Sequence, residues 1–265
     1  MDKLLVICGP TATGKTAFSA MLAKKFNGEL ISADSRQVYR GMDIVTGKDR
    51  PDVPIWLYDV VNPDEEFSVS HWMRLAKQAI EDIQKRNKLP IVVGGTGLYI
   101  HALLNPLETI DIPPNQHLRK KLQCITVGEL QQMISRGDMN QSDWNNPRRL
   151  IRKIEVAESK IVMQKQLNTF DYLIIGLTAS LTELYRRIDK RLEKRTRAGM
   201  DVEIASLRAR YNRNLPSMSA IGLNEHAYAR RQMTWFKKMP SVNWFDITSS
   251  DYQDAVAEKV ARWYT

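Results

Sequence analysis

The chain has 265 residues, 43% of them hydrophobic, with 39 Lys and Arg against 30 Asp and Glu, a formal charge of +9. That length holds a full α/β core with a smaller second lobe, and the positive balance favours a polyanionic partner, whether RNA, DNA or an acidic membrane. The cysteines, Cys8 and Cys124, fit no disulfide framework or thiolate zinc site, and no apolar run approaches a membrane span, so a protein of the reducing cytoplasm with no membrane association is expected.

The first predicted element is a buried strand over 3–8. It runs into Gly9-Pro10-Thr11-Ala12-Thr13-Gly14-Lys15-Thr16 and a helix over 15–26, which Asn27-Gly28 ends. The eight loop residues fit G-x-x-x-x-G-K-[ST]. Strand, loop and helix come in the order a phosphate cradle needs, with backbone N–H groups around the anion and a helix N-terminus aimed at it. Lys15 is expected to reach the outer phosphate and the Thr16 hydroxyl to ligate Mg²⁺. Such a loop reads phosphates and leaves the rest of the ligand open.

A short apolar run, Glu29 to Ala33, delivers the chain to Asp34-Ser35-Arg36-Gln37-Val38-Tyr39. In a parallel sheet the carboxyl ends of neighbouring strands open onto one crevice, so Asp34 is expected to face the phosphate loop; a helix N-cap is the competing reading. Ile55 to Asp59 resembles a strand ending in a carboxylate, with Asp59 read as structural. Ser68 to Lys88 is an amphipathic helix, with Val69, Trp72, Met73, Ala76, Ile80 and Ile83 at three- and four-residue steps. Pro90 to Val93 is the next buried strand. It ends in Gly94-Gly95-Thr96-Gly97-Leu98-Tyr99, where a motor-type ATPase would carry Asp-Glu. Glycines and a threonine there supply close backbone approach and a hydroxyl, suited to ligand binding; a tight strand-to-helix turn is the alternative.

Past Asn105-Pro106 the composition shifts. Asn115 to Met139 shows two short helical stretches, the second opening near Thr126, and no buried strand. Asn145 to Val156 starts a long helix with proline near its first turn. Arg149 and Arg152 share a face of it, an arrangement that on spacing alone is more often solvated surface. Phe170 to Leu177 resumes the sheet, so the helical stretch before it reads as an insertion between strands. From Asn145 to Met200 there are 13 Lys and Arg against 6 Asp and Glu, so most of the basic excess lies in the middle of the chain. Leu181 to Arg197 is a strongly charged helix, and Ser219 to Glu225 a short segment after Pro216. Ala227 to Lys238 interleaves four cations with three aromatics, a composition for neutralising phosphates and stacking bases. An amphipathic helix with its aromatics in the core fits equally. Val242 to Ile247 is a last strand and Tyr252 to Trp263 a closing helix.

Four stretches together resemble one family: Gly-Pro-Thr-Ala-Thr-Gly-Lys-Thr at 9–16, Ser-Ala-Asp-Ser-Arg-Gln-Val-Tyr at 32–39, Gly-Gly-Thr-Gly-Leu-Tyr at 94–99 and Arg-Arg-Gln-Met-Thr-Trp-Phe at 230–236. They look like the tRNA dimethylallyltransferases, and Asn146-Pro147-Arg148-Arg149-Leu150-Ile151-Arg152 is a fifth match. The resemblance implies an α/β fold, a P-loop NTPase-like parallel sheet flanked by helices, with a smaller inserted helical lobe. Residues 1–109 and 166–265 would form the core with C-terminal tRNA-contacting helices, and 110–165 the inserted tRNA-binding lobe. The implied reaction moves a dimethylallyl group from its diphosphate to N6 of adenosine 37, beside the anticodon of tRNAs reading codons that begin with U.

Under this resemblance Gly9, Pro10, Thr11, Ala12, Thr13, Gly14, Lys15 and Thr16 hold the diphosphate of dimethylallyl diphosphate, not ATP. Lys15 and Mg²⁺ on Thr16 neutralise the charge that grows as the C–O bond breaks. Asp34 is the implied general base for the exocyclic amine. Thr96 contacts the amine or the donor, and Ser35, Arg36 and Gln37 lie alongside the adenosine. Arg119, Arg148, Arg149, Arg152, Gly222, Arg230, Arg231 and Gln232 are implied to grip the tRNA anticodon stem-loop, with the target base out of its stack. A monomer is expected.

The sequence departs from the family's pattern in places. Leu223-Asn224-Glu225-His226 runs almost directly into the Arg-Arg-Gln motif, where a longer segment is common; Gly222-Leu223 replaces Gly-Tyr, and Arg152-Lys153-Ile154-Glu155 replaces Arg-Ala-Leu-Glu. Three competing readings remain: prenyl transfer to a free adenine nucleotide, as in cytokinin-forming isopentenyltransferases; a P-loop small-molecule kinase; and a non-catalytic RNA-binding protein.

Overall fold

Runs such as Leu4-Leu5-Val6-Ile7 and Ile91-Val92-Val93 are apolar without alternation, the pattern of strands buried on both faces of a parallel sheet. The computed structural model, which describes residues 2–105, 109–110, 112–159 and 170–264, has them in such a sheet. β1 (Asp2–Cys8), β2 (Gly28–Ser32), β3 (Ile55–Trp56), β4 (Leu89–Gly94), β5 (Phe170–Thr178) and β6 (Val242–Asp246) run in the order β3-β2-β4-β1-β5-β6, with every pairing parallel. The chain leaves β1 toward β2 on one side and later resumes at β5 on the other. The order therefore switches at the carboxyl end of β1, where open α/β sheets form their ligand crevice.

Parallel neighbours need crossovers, and helices supply them. α1 (Lys15–Lys25) follows β1, α2 (Val69–Lys85) precedes β4, and α3 (Gly97–Leu104) follows it. Among the described residues four helices lie between α3 and β5: α4 (Gln116–Leu122), α5 (Val127–Gln132), α6 (Gln141–Trp144) and α7 (Pro147–Glu158). After β5 come α8 (Leu181–Arg197), α9 (Met200–Arg210), a 3₁₀ turn (Pro216–Ala220) and α10 (Glu225–Phe236), and after β6 comes α11 (Tyr252–Tyr264).

One core joins Leu5, Ile7, Leu30, Ile91, Ile175 and Leu177 of the strands to Phe18 and Leu22 of α1 and Val256 and Val260 of α11. α2 packs on β2 and β4 and buries Trp72, Met73, Ala76, Ile80 and Ile83; its start is fixed by a capping box between Ser68 and His71. Each buried Val, Leu, Ile, Phe or Met among them contributes about 1.5–3 kcal/mol.

The chain divides into two compact units, Met1–Asn105 with Asn168–Thr265, and Pro106–Leu167. The second begins a few residues before the lobe the sequence suggests, and the lobe's expected end at 165 falls outside the described residues. Its helices are short and individually weak, and each is held at its start by a side-chain cap from Asn115, Thr126, Asn140 or Asn146. Leu122, Leu130, Leu150, Ile151 and Ile154 form its core.

Several local expectations are revised. The left-handed residue that ends α1 is Asn27 (φ 50°), while Gly28 already belongs to β2, where a Cβ would meet Leu89 O at 2.7 Å. The strand expected over 55–59 stops at Trp56, because Leu57 and Asp59 take positive φ (69° and 56°). Asp59 is structural: it accepts Lys48 Nζ at 2.5 Å and Arg50 Nη2 at 2.8 Å. α9 had no separate sequence signal, and its Glu203 carboxylate accepts the backbone N–H groups of Asp43, Ile44 and Val45.

Candidate active site

The phosphate loop turns on left-handed residues, Gly9 (φ 137°), Ala12 (φ 67°) and Gly14 (φ 76°), and a Cβ on Gly9 would lie 2.2 Å from Leu177 O of β5. Thr13 ties the loop internally through Thr13 Oγ1 to Pro10 O at 3.0 Å, and Lys15 Nζ folds back to Pro10 O at 2.5 Å. Burial, and then the neighbouring Arg191, push Lys15 down to about 8, with Asp34 opposing them. A lysine in that state gains most from an arriving anion.

The second wall comes from the ends of β2 and β4. A Cβ on Gly94 would lie 2.2 Å from Ala33 O, so only glycine lets the two strand ends approach this closely. The contact lets Thr96 N donate to Ala33 O at 3.0 Å and sets Thr96 Oγ1 to accept Ser35 N at 3.0 Å and reach Ser35 Oγ at 3.3 Å. Asp34 lies in the same turn, its Oδ1 accepting Arg36 N at 2.9 Å. It lines one cleft of about 950 Å³ together with Lys15, Thr16, Arg36, Gln37, Gly94 and Gly95. Gln37 is braced by Ser32 Oγ at 3.1 Å and by its own donation to Gly47 O at 3.3 Å.

α10 closes this wall. Gln232 is buried, accepting Thr11 N at 2.8 Å and donating to Gly95 O at 2.9 Å. It was expected on the tRNA; in the fold both ends of its amide join the phosphate loop to the Gly94-Gly95 turn. Tyr228 carries Arg36 over its ring at 4.9 Å and Arg231 at 5.8 Å. Burial, and then Asp34, push its phenol up to about 12. Arg230 and Arg231 are exposed, and Gly222 is exposed at the cleft in a left-handed turn (φ 74°).

In the helical unit, Glu155 is buried and accepts Arg119 through two bonds of 2.9 Å, Arg152 at 2.6 Å and Asn115 N at 2.5 Å. These three hold the Glu155 carboxyl below the usual range against the burial that would raise it. Arg149 pairs with Asp143, while Arg148 is exposed and has no side-chain partner among the described residues. Sequence reasoning passed over Arg191, Arg195, Glu225, Tyr58 and Asp49, all lining the cleft. A signal was available in α8, since Arg187, Arg191 and Arg195 recur every four residues on one face.

The profile of the IPP transferase family matches residues 37–227, and that of isopentenyl transferase residues 2–54. The chain is 36% identical to a tRNA dimethylallyltransferase of Geobacillus thermodenitrificans, over 99% of this chain and 96% of the relative. The chain belongs to the tRNA dimethylallyltransferase family. The crystal structure of the full-length tRNA isopentenylpyrophosphate transferase from Bacillus halodurans superposes with a TM-score of 0.75 at 34% identity, covering 99% of this chain and 97% of that one. A eukaryotic dimethylallyltransferase crystallised acting on tRNA gives a TM-score of 0.78 at 26% identity, with 98% and 78% covered. As a tRNA dimethylallyltransferase family member this chain is compact: the alignment with the Geobacillus relative spans 303 positions against its own 265 residues, so that relative carries residues this chain lacks.

Proposed function

We propose that the chain transfers the dimethylallyl group of dimethylallyl diphosphate to N6 of adenosine 37 of tRNA and releases diphosphate. What carries the reading is one cleft lined by the phosphate loop with Lys15, by Asp34 and by Gly94-Gly95, with Thr96 bonded to Ser35 in the turn behind Asp34. A kinase could use a carboxylate as its base, but that reading gives no reason for Asp34 together with the Gly94-Gly95-Thr96 turn. A site for a free nucleotide has no use for the basic helical unit.

The diphosphate sits in the Gly9 to Thr16 loop on the free N–H groups around Ala12, Gly14, Lys15 and Thr16, with Lys15 and Arg191 balancing its charge. As the allylic C–O bond breaks, the electron pair stays on the diphosphate oxygen, and these cations stabilise it more in the transition state than before it. The N6 lone pair forms the new C–N bond, and Asp34 takes the amine's proton. Thr96, held by Ser35, orients that amine. Ser35, Arg36 and Gln37 flank the extruded base. Mg²⁺ fits the residues present. The Thr16 hydroxyl lines the cleft, no set of three His, Cys, Asp or Glu converges there among the described residues, and this ion is content with one protein oxygen plus water and phosphate. Bound there, it would supply charge neutralisation to the leaving diphosphate.

Arg119, Arg148, Arg149, Arg152, Arg230 and Arg231 serve the tRNA backbone, and the enzyme works as a monomer. No helix among the described residues is long and apolar enough to cross a membrane. The test supplies labelled dimethylallyl diphosphate with an anticodon stem-loop or with AMP. Label is expected on the stem-loop only, and Asp34→Asn is expected to abolish transfer while tRNA affinity stays within about twofold. Label on AMP would establish the adenylate alternative; normal turnover by Asp34→Asn would remove the proposed base.

A further inference from the structure

The reaction above uses Arg191 but leaves the acid beside it without a role. Glu225 opens α10 directly after Gly222-Leu223-Asn224, and its side chain is only 14% exposed. Its carboxylate accepts Arg191 Nη2 at 2.6 Å and also pairs with Arg195 Nη2. The two arginines reach different walls of the cleft. Arg191 Nη2 donates to Thr11 Oγ1 of the phosphate loop at 2.5 Å, and Arg195 Nη1 to Val45 O at 3.2 Å. The two guanidiniums hold the Glu225 carboxyl below its ordinary range although burial opposes them.

Lys15, Arg191 and Arg195 are three cations lining one cleft, and Arg191 already weakens the hold of Lys15 on its proton. Without an acid between them, long guanidinium side chains turn outward to water. We propose that Glu225 is a positioning residue for the donor's diphosphate: it holds Arg191 in place on the phosphate loop before the ligand arrives. The inference rests on the donor-site reading above.

Two roles for this acid predict opposite signs. If Glu225 only tempered the positive field, neutralising it would tighten diphosphate binding. If it positions Arg191, neutralising it weakens binding, because the guanidinium must then be ordered on association. The experiment titrates inorganic diphosphate into wild type, Glu225→Gln, Arg191→Lys and the double variant by calorimetry, with steady-state kinetics alongside. Glu225→Gln is expected to weaken diphosphate about tenfold and to raise KM for dimethylallyl diphosphate likewise, while KM for tRNA moves less than about twofold. The double variant should bind no more weakly than Arg191→Lys alone. Unchanged or tighter binding by Glu225→Gln, or full additivity in the double variant, overturns the proposal. Should Glu225→Gln fail to melt cooperatively, Glu225→Asp keeps the charge and shortens the reach; weaker diphosphate binding supports positioning and unchanged binding refutes it. Equal diphosphate affinity in wild type and Lys15→Ala would instead sink the donor-site reading.

Discussion

Lys15 shows how one side chain can be tuned by its surroundings for its ligand. Its proton affinity falls from an ordinary 10.5 to about 8, chiefly through burial and then Arg191. Between those values the folded protein binds fewer protons than the unfolded chain. The group therefore costs stability below pH 8, and the cost is relieved as pH rises toward 10.5. Diphosphate reverses the balance by favouring the ammonium. Above pH 8, binding should take up a proton at Lys15 and weaken by up to about tenfold per pH unit. Calorimetry at pH 9 in two buffers of different ionisation enthalpy reads the difference. Uptake is expected to be larger in wild type than in Lys15→Ala, and equal uptake in the two would place the titration elsewhere.

At the scale of elements, the site is made by three chain segments brought to van der Waals contact by glycines. A Cβ on Gly95 would lie 2.1 Å from Gln232 Nε2, and one on Gly97 2.0 Å from Trp235 Cδ1. The Gly94-Gly95-Thr96-Gly97 run is thus both a ligand wall and a seat for α10, which a reading as turn or as site treats as alternatives. Gly95→Ala should push Gln232 off Gly95 O and loosen its hold on Thr11 N. We expect a loss of about 1–3 kcal/mol by urea denaturation and at least a tenfold fall in prenyl transfer. Full activity would mean that the bridge is dispensable.

The whole molecule carries a charge of +9, and its distribution decides how it meets tRNA. Arg119 and Arg152 are held by Glu155 and Arg149 by Asp143, so a tRNA phosphate that reaches these cations must share them with a carboxylate. Arg148, exposed and unpaired among the described residues, is free to replace a counterion on phosphate. Arg148→Ala should weaken tRNA binding and flatten the plot of log affinity against log salt by about 0.7–0.9, one phosphate's worth. Filter binding across a salt series checks this; an unchanged slope would return Arg148 to plain surface.

Local chemistry carried much of this protein in one dimension. The apolar runs of β1, β4 and β5, the phosphate loop, the Asn-Pro start of α7 and the Arg-Arg-Gln-Met-Thr-Trp-Phe stretch are contiguous, so the parallel sheet, its flanking helices and the family were legible without coordinates. Which side chains share the cleft was not. Arg191, Glu225 and Thr11 are distant in sequence and meet only when α8 and α10 pack on each other and reach the loop that follows β1. Gln232 shows the same limit in reverse. Its motif marks it as functional, but only packing shows that its amide faces inward, because a buried amide must find partners and the nearest are the backbones of Thr11 and Gly95. Short-range pattern fixes where strands, loops and caps begin, since those depend on neighbours a few residues away. The pairing of charges across the cleft depends on long-range contacts, and tertiary structure alone decided it.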